Sequence, residues 1–238
     1  MEKGMEKLVR IFLIVLMLGT FFCAATFAQK TEDRNLSSFS AVKVSGGFNV
    51  VIQQGNSEHI EITASGIDLQ DIITEVEGGT LKIRTKNDSW NWKNKYEVSI
   101  VLTYKTLESV TSSGSSHIKT KSAIKNNQFE LVLSGSGKFR GEVDTQKLAI
   151  VISGSGDVEL SGSAKEQSIE VSGSGDVEAL ALQSSIAKIR ITGSGNAKVS
   201  VSEQLDGRVS GSGDIRFAGN PEKQIFKTTG SGSIKKIN

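Results

Sequence analysis

The sequence predicts an all-β fold: a parallel β-helix, wound as a right-handed solenoid with rungs of about 19 residues and closed at its N-terminal end by a β-rich cap. Three observations predict it. A Ser/Thr-Gly-Ser-Gly motif recurs seven times at nearly constant spacing, with Ser116 in place of the last glycine in the first copy. Apolar and polar residues alternate on both sides of each copy. No segment carries a helical period, and a single proline, Pro221, leaves no Pro-rich linker or stalk.

Residues 1–28 read as a targeting segment. Lys3, Lys7 and Arg10 precede an uncharged run from Ile11 to Ala28, which ends in Thr26-Phe27-Ala28 before Gln29. Small residues at the first and last positions of that ending are the mark of a secretory cleavage site. Two alternatives compete. One is an uncleaved anchor, since the run is at the lower limit for a bilayer span. The other is a lipid-modified Cys23, disfavoured by Phe22 directly before it. Cleavage after Ala28 leaves a chain with no transmembrane segment and without its only cysteine, hence without a disulfide, a thiolate metal site or a thiol nucleophile.

Residues 29–105 form a β-rich region of cap or degenerate rungs. Alternating stretches appear at 41–45, 48–53, 59–63, 72–76, 81–84 and 96–102, separated by Gly46-Gly47, Gly55-Asn56, Gly78-Gly79 and Asn87-Asp88. Ser45-Gly46-Gly47-Phe48 echoes the repeat and favours degenerate rungs.

Residues 106–238 are the repeat array. Its glycines are Gly114, Gly135, Gly154, Gly173, Gly193, Gly211 and Gly230, with Ser after each and Ser or Thr before. Columns four and two residues before the glycine, and four and six after, are mainly apolar and predict one shared interior. Glu159, Glu170, Glu178, Arg190, Lys198, Arg208 and Arg216 fall between them and predict the outer surface. A short strand–turn–strand unit cannot bury its own apolar face, whereas a stack of such units does. Stacking at about 4.8 Å per rung predicts a rod segment roughly 29 Å long. The Ser column predicts a hydroxyl ladder along the corner. Ser112 in the first copy, and Thr228 and Lys236 in the last, predict polar terminal rungs that stop end-to-end stacking.

After cleavage, Lys plus Arg and Asp plus Glu nearly cancel, which gives no electrostatic case for nucleic acid or an anionic membrane as partner. His59 and His117 are the only histidines and lie far apart, so neither a triad nor a histidine metal site is expected.

The run Val44-Ser45-Gly46-Gly47-Phe48-Asn49-Val50-Val51-Ile52-Gln53-Gln54-Gly55, then Leu81-Lys82-Ile83, then Gly-Ser-Gly-Asp-Val at 154–158 and 173–177, resembles the bacterial family described as "putative auto-transporter adhesin, head GIN domain". The resemblance spans nearly the whole mature chain. It implies an exported β-helical protein of a Gram-negative cell envelope, in the periplasm or on the outer surface, and no catalytic residues.

The candidate ligand-binding residues fall in two groups. Trp90, Trp92 and Tyr96 form an aromatic cluster able to stack on sugar rings or anchor a partner. Asp157, Asp176 and Asp214 share the column three residues after the glycine. On adjacent rungs, Asp157 and Asp176 would repel by roughly 0.9 kcal/mol even in water, which a cation or sugar hydroxyls would relieve. Turn chemistry explains the same column without a ligand. The expectation is an envelope binding module, adhesin-like, with glycan or protein as partner and no catalysis, metal or cofactor. The alternatives are a polysaccharide lyase or hydrolase on a β-helix scaffold, and a periplasmic structural or envelope-stress signalling protein.

Overall fold

The computed structural model describes residues 29–86 and 96–237. Six short strands come first: β1 (Lys30–Asn35), β2 (Ala41–Gly46), β3 (Asn49–Gln54), β4 (His59–Ser65), β5 (Ile72–Glu77) and β6 (Thr80–Thr85), with one 3-10 turn at Leu69–Asp71. β7 (Glu97–Tyr104), β8 (Ser109–Gly114) and β9 (His117–Thr120) follow. Long bent strands then carry the repeat: β10 (Ile124–Gly135), β11 (Lys138–Gly154), β12 (Asp157–Gly173), β13 (Asp176–Gly193) and β14 (Asn196–Gly211). β15 (Asp214–Ala218), β16 (Lys223–Gly230) and β17 (Ser233–Lys236) end the array.

The strands stack in parallel, like residue on like residue. Gly135 pairs with Gly114, Gly154 with Gly135, Gly173 with Gly154, and so on to Gly230 on Gly211. One face of the solenoid holds the strand segments before this corner and another holds those after it. The interior columns are filled: Leu131, Ile150, Ile169 and Ile189 are 0% exposed, and Phe139, Val158, Val177 and Ala197 are no more than 2% exposed. Burying a chain of such side chains, each worth about 1.5–3 kcal/mol, holds the stack together without a disulfide.

The corner explains the glycines. From Gly114 to Gly230 every corner glycine has φ between 110° and 128°, a region L side chains rarely adopt. A Cβ on Gly154 would also sit 2.6 Å from the carbonyl oxygen of Gly135 on the next rung. The serines do something other than expected. Among the described residues no hydroxyl-to-hydroxyl bond links those of the corner. The ladder is backbone: the N–H groups of Ser136, Ser155, Ser174, Ser194 and Ser212 donate to the glycine carbonyl one rung away, at 2.8–2.9 Å. The small residue leaves room for this bond.

The first repeat is not the end of the rod. β2 and β3 stack on β8 and β9, with Gly46 opposite Gly114 and Asn49 opposite His117, and β6 and β7 stack beyond them. Ser112 is therefore an internal residue, 1% exposed, rather than a polar terminus. The chain begins at the outer edge with β1, builds an inner rung with β2 and β3, runs out again through β4 and β5, and returns to build the outermost parallel rung with β6 and β7. Antiparallel strands close that end: β5 on β6, then β4 on β7 and β1 on β4. Arg34 of β1 ties the closure together, donating to the carbonyls of Ile72 at 2.6 Å and Leu69 at 2.7 Å while its guanidinium pairs with Glu32.

Candidate functional site

The strand segments just after the corner present two rows of outward side chains along the rod. One row, three residues after the glycine, runs His117, Lys138, Asp157, Asp176, Asn196, Asp214. The other, two residues further on, runs Lys119, Arg140, Glu159, Glu178, Lys198, Arg216. The residue between them turns inward at every rung, so the rows are walls and the paired backbone is the floor of a trough. The trough encloses about 890 Å³ and continues over Asn49, Val51, Ser99 and Val101 toward the cap. The rungs from Ser99 to Arg216 span roughly 34 Å at about 4.8 Å each.

Charge follows rung number. The centre is acidic, with Asp157 opposite Asp176 and Glu159 opposite Glu178. Cations flank it on both sides. Lys138 pairs with Asp157 at 2.9 Å, Arg140 with Glu159 at 3.1 Å and Lys198 with Glu178 at 2.7 Å. The repulsion expected between neighbouring carboxylates is relieved by these cations one rung outward. Each pair is half-exposed and worth no more than about 1 kcal/mol, so the rows shape a surface more than they stabilise the fold.

Part of the acidic row also has a structural task. Asp176 Oδ1 accepts from the backbone N–H of Asn196 at 2.9 Å, Asn196 Oδ1 from that of Asp214 at 3.1 Å, and Asp214 Oδ1 from that of Ser233 at 2.9 Å. These amides, just past the corner, thus find their acceptors in side chains of the previous rung. The Ser233 hydroxyl donates to Asp214 as well and is the main cause holding that carboxyl below the ordinary aspartate range, with Arg216 and Lys235 adding to it.

The structure brings Asp157, Asp176 and Asp214 into one row. Tyr96 is 37% exposed just before β7, near the cap. Trp90 and Trp92, like the expected targeting segment, lie outside the described residues. Sequence reasoning missed the second wall, although its signal was present: the fifth residue after the glycine is charged in all seven copies, from Lys119 to Lys235. Among the described residues no group of three His, Cys, Asp or Glu side chains is placed to hold a metal ion, and no helix is long and apolar enough to cross a membrane.

The model of the family described as "Putative auto-transporter adhesin, head GIN domain" matches residues 38–221. The chain belongs to this head GIN domain family. Solved structures repeat its fold. A "putative adhesin" from Bacteroides fragilis superposes with a TM-score of 0.80 at 22% identity, over 88% of this chain and 97% of that one. A "putative lipid binding protein" from Parabacteroides distasonis gives 0.71 at 25% identity, over 90% and 98%. A "putative adhesin" from Parabacteroides merdae gives 0.71 at 21% identity, over 90% and 98%. No curated protein matches the chain. Both walls of the trough fall within the span that the head GIN domain model matches.

Proposed function

We propose that the protein is an exported cell-envelope binding module that holds an extended, hydroxyl-rich polymer, a glycan, along the trough. The observation that carries this reading is the pair of parallel rows, charged or polar at every repeat rung, spaced by the rung repeat on a rigid β floor. Carboxylates and ammonium or guanidinium groups that are paired and half-exposed keep free lone pairs and N–H groups, which sugar hydroxyls can bridge. A site about 34 Å long takes many weak contacts at once, which is how a surface without a deep cavity reaches useful affinity. The interior supports a surface site, because the columns that line it are buried apolar side chains, which offer a hydroxyl-rich polymer no hydrogen-bond partners. Membership in a family described as auto-transporter adhesins supports the same class of role.

The test is binding of the mature protein to a glycan array, followed by titration of the strongest ligand. Asp157→Ala/Lys198→Ala is expected to weaken binding about 10-fold or more, since each hydrogen bond to a charged group is worth about 1.5 kcal/mol. Glu170→Ala, on another face, is expected to leave it unchanged. An array without any retained glycan, or equal losses in both variants, overturns the reading.

A further inference from the structure

The C-terminal end of the rod is unlike the rest of the surface. Among the described residues β16 pairs only with β14, and β17 only with β15, so both present an edge whose backbone N–H and C=O groups have no strand partner there. Every residue of β16 is exposed. Phe226 lies over Gly207 and against Phe217, plugging the lumen, yet is 42% exposed because no described residue stacks above it. Ile225 beside it is 41% exposed and points outward, in register with Asp206. Among the described residues these are the largest exposed aliphatic and phenyl side chains.

Charge is concentrated at the same place. Residues 221–237 carry Lys223, Lys227, Lys235 and Lys236 against a single acid, Glu222. Among the described residues none of the four lysines is paired with a carboxylate within salt-bridge distance; Lys236 is held by the Asn220 side chain instead. Lys227 stacks on Arg208 and Lys235 on Arg216, and these two arginines are themselves paired with Asp206 and Asp214, so the excess positive charge comes from the lysines. The opposite end is different in kind: antiparallel strands close it, and its acids Asp68, Glu75 and Glu77 are paired with Lys30, Arg84 and Lys82. The near-neutral total therefore hides a cluster of lysines without carboxylate partners at one end of the rod.

We infer that this end is a docking surface for an anionic lipid bilayer, on which the solenoid stands end-on. Lipid phosphates complement all three features. They pair with the lysines, each of which raises affinity about 5-fold near an anionic surface. They accept hydrogen bonds from the open-edge N–H groups, which hydrocarbon could not satisfy. Ile225 and the outer side of Phe226 sit at the level of the interface, where apolar side chains gain from partial burial. A second copy fits less well. Tail-to-tail contact sets like charges face to face. Head-to-tail contact meets a stepped cap, two antiparallel strands beyond β7 against one beyond β6. Upright docking runs the trough away from the membrane.

Co-sedimentation with vesicles tests this independently of the glycan reading. The mature protein is expected to bind vesicles of phosphatidylcholine mixed with phosphatidylglycerol, and to be released by high salt. Vesicles of phosphatidylcholine alone should bind at least about 10-fold more weakly. Lys223→Glu/Lys227→Glu and, separately, Ile225→Asp should each lower binding about 10-fold or more, with melting temperatures close to that of the parent protein. Lys165→Glu, an exposed charge elsewhere on the rod, should leave binding unchanged. Equal binding to both vesicle types, or none to either, overturns the inference. So does concentration-dependent self-association that the same end variants abolish, which would make this end an interface between copies.

Discussion

Replacing Gly154 by alanine tests the corner directly, because two separate costs meet there. The backbone sits at φ 122°, where an L side chain is strained by about 1–3 kcal/mol. The new Cβ would lie 2.6 Å from Gly135 O, against the 3.0 Å below which real Cβ atoms essentially never approach, and ordinary contact begins at 3.4 Å. The rungs must therefore part by several tenths of an ångström in a stack whose register is fixed on both sides, an overpacking cost of about 1–3 kcal/mol. Together these give about 4 kcal/mol, which for a chain of this size lowers the melting temperature by about 10 °C. Gly78→Ala is the matched control. Its φ of 56° is also left-handed, but a Cβ there meets nothing within 4 Å, so only the backbone cost of about 1–2 kcal/mol remains. Ser155→Ala should change stability by less than about 0.5 kcal/mol, since the corner bond is made by its backbone N–H, which alanine keeps. Thermal melts followed by far-ultraviolet circular dichroism read all three. Gly154→Ala melting within a degree or two of Gly78→Ala would refute the stacking argument.

Other outcomes follow from the same contacts. Arg34→Ala removes the charged donor to the Ile72 and Leu69 carbonyls, so hydrogen exchange should quicken in β1 and β5 by the equivalent of about 2 kcal/mol while β12 and β13 stay protected. Ser184→Ala strips the buried Gln167 amide of its partner, at 2.7 Å, and should cost about 1–3 kcal/mol in denaturant unfolding. Asp214 has a folded pKa held below the ordinary aspartate value by Ser233. Its contribution is therefore full above the ordinary value and disappears as pH falls through the lower folded one. Asp214→Asn, which can still accept the Ser233 N–H as Asn196 does one rung earlier, should flatten that part of the acid dependence when melting is followed from neutral pH into the acid range.

Much of this architecture is legible because a solenoid writes each spatial neighbour at a fixed sequence distance. Ile150 lies over Leu131 and Val177 over Val158, as the columns require. The expected hydroxyl ladder fails because spacing reveals which residues stack but not which atoms bond. A serine at a tight bend can bond through its N–H, and it does. Ser112 fails as a terminus for a different reason. The rungs beyond it, Ala41–Gly46 with Asn49–Gln54 and then Thr80–Thr85 with Glu97–Tyr104, are out of chain order, and no period records a chain that leaves a rung and returns past it. The three aspartates can be assigned to one row from sequence. That Asp176 and Asp214 also hold backbone amides needs coordinates, whereas the wall of Lys119, Arg140, Glu159, Glu178, Lys198 and Arg216 needs only a second column to be read.

The central claim is that equivalent residues climb the rod by one rung spacing per repeat. With the only cysteine, Cys23, replaced by serine, spin labels can be placed at will on the outer wall. Pulsed electron resonance distances from Lys119→Cys to Lys198→Cys and to Lys235→Cys, about four and six rungs away, should centre near ~19 Å and ~29 Å, rising by about 4.8 Å per rung. Distances that fail to grow in proportion to rung number would contradict the stack.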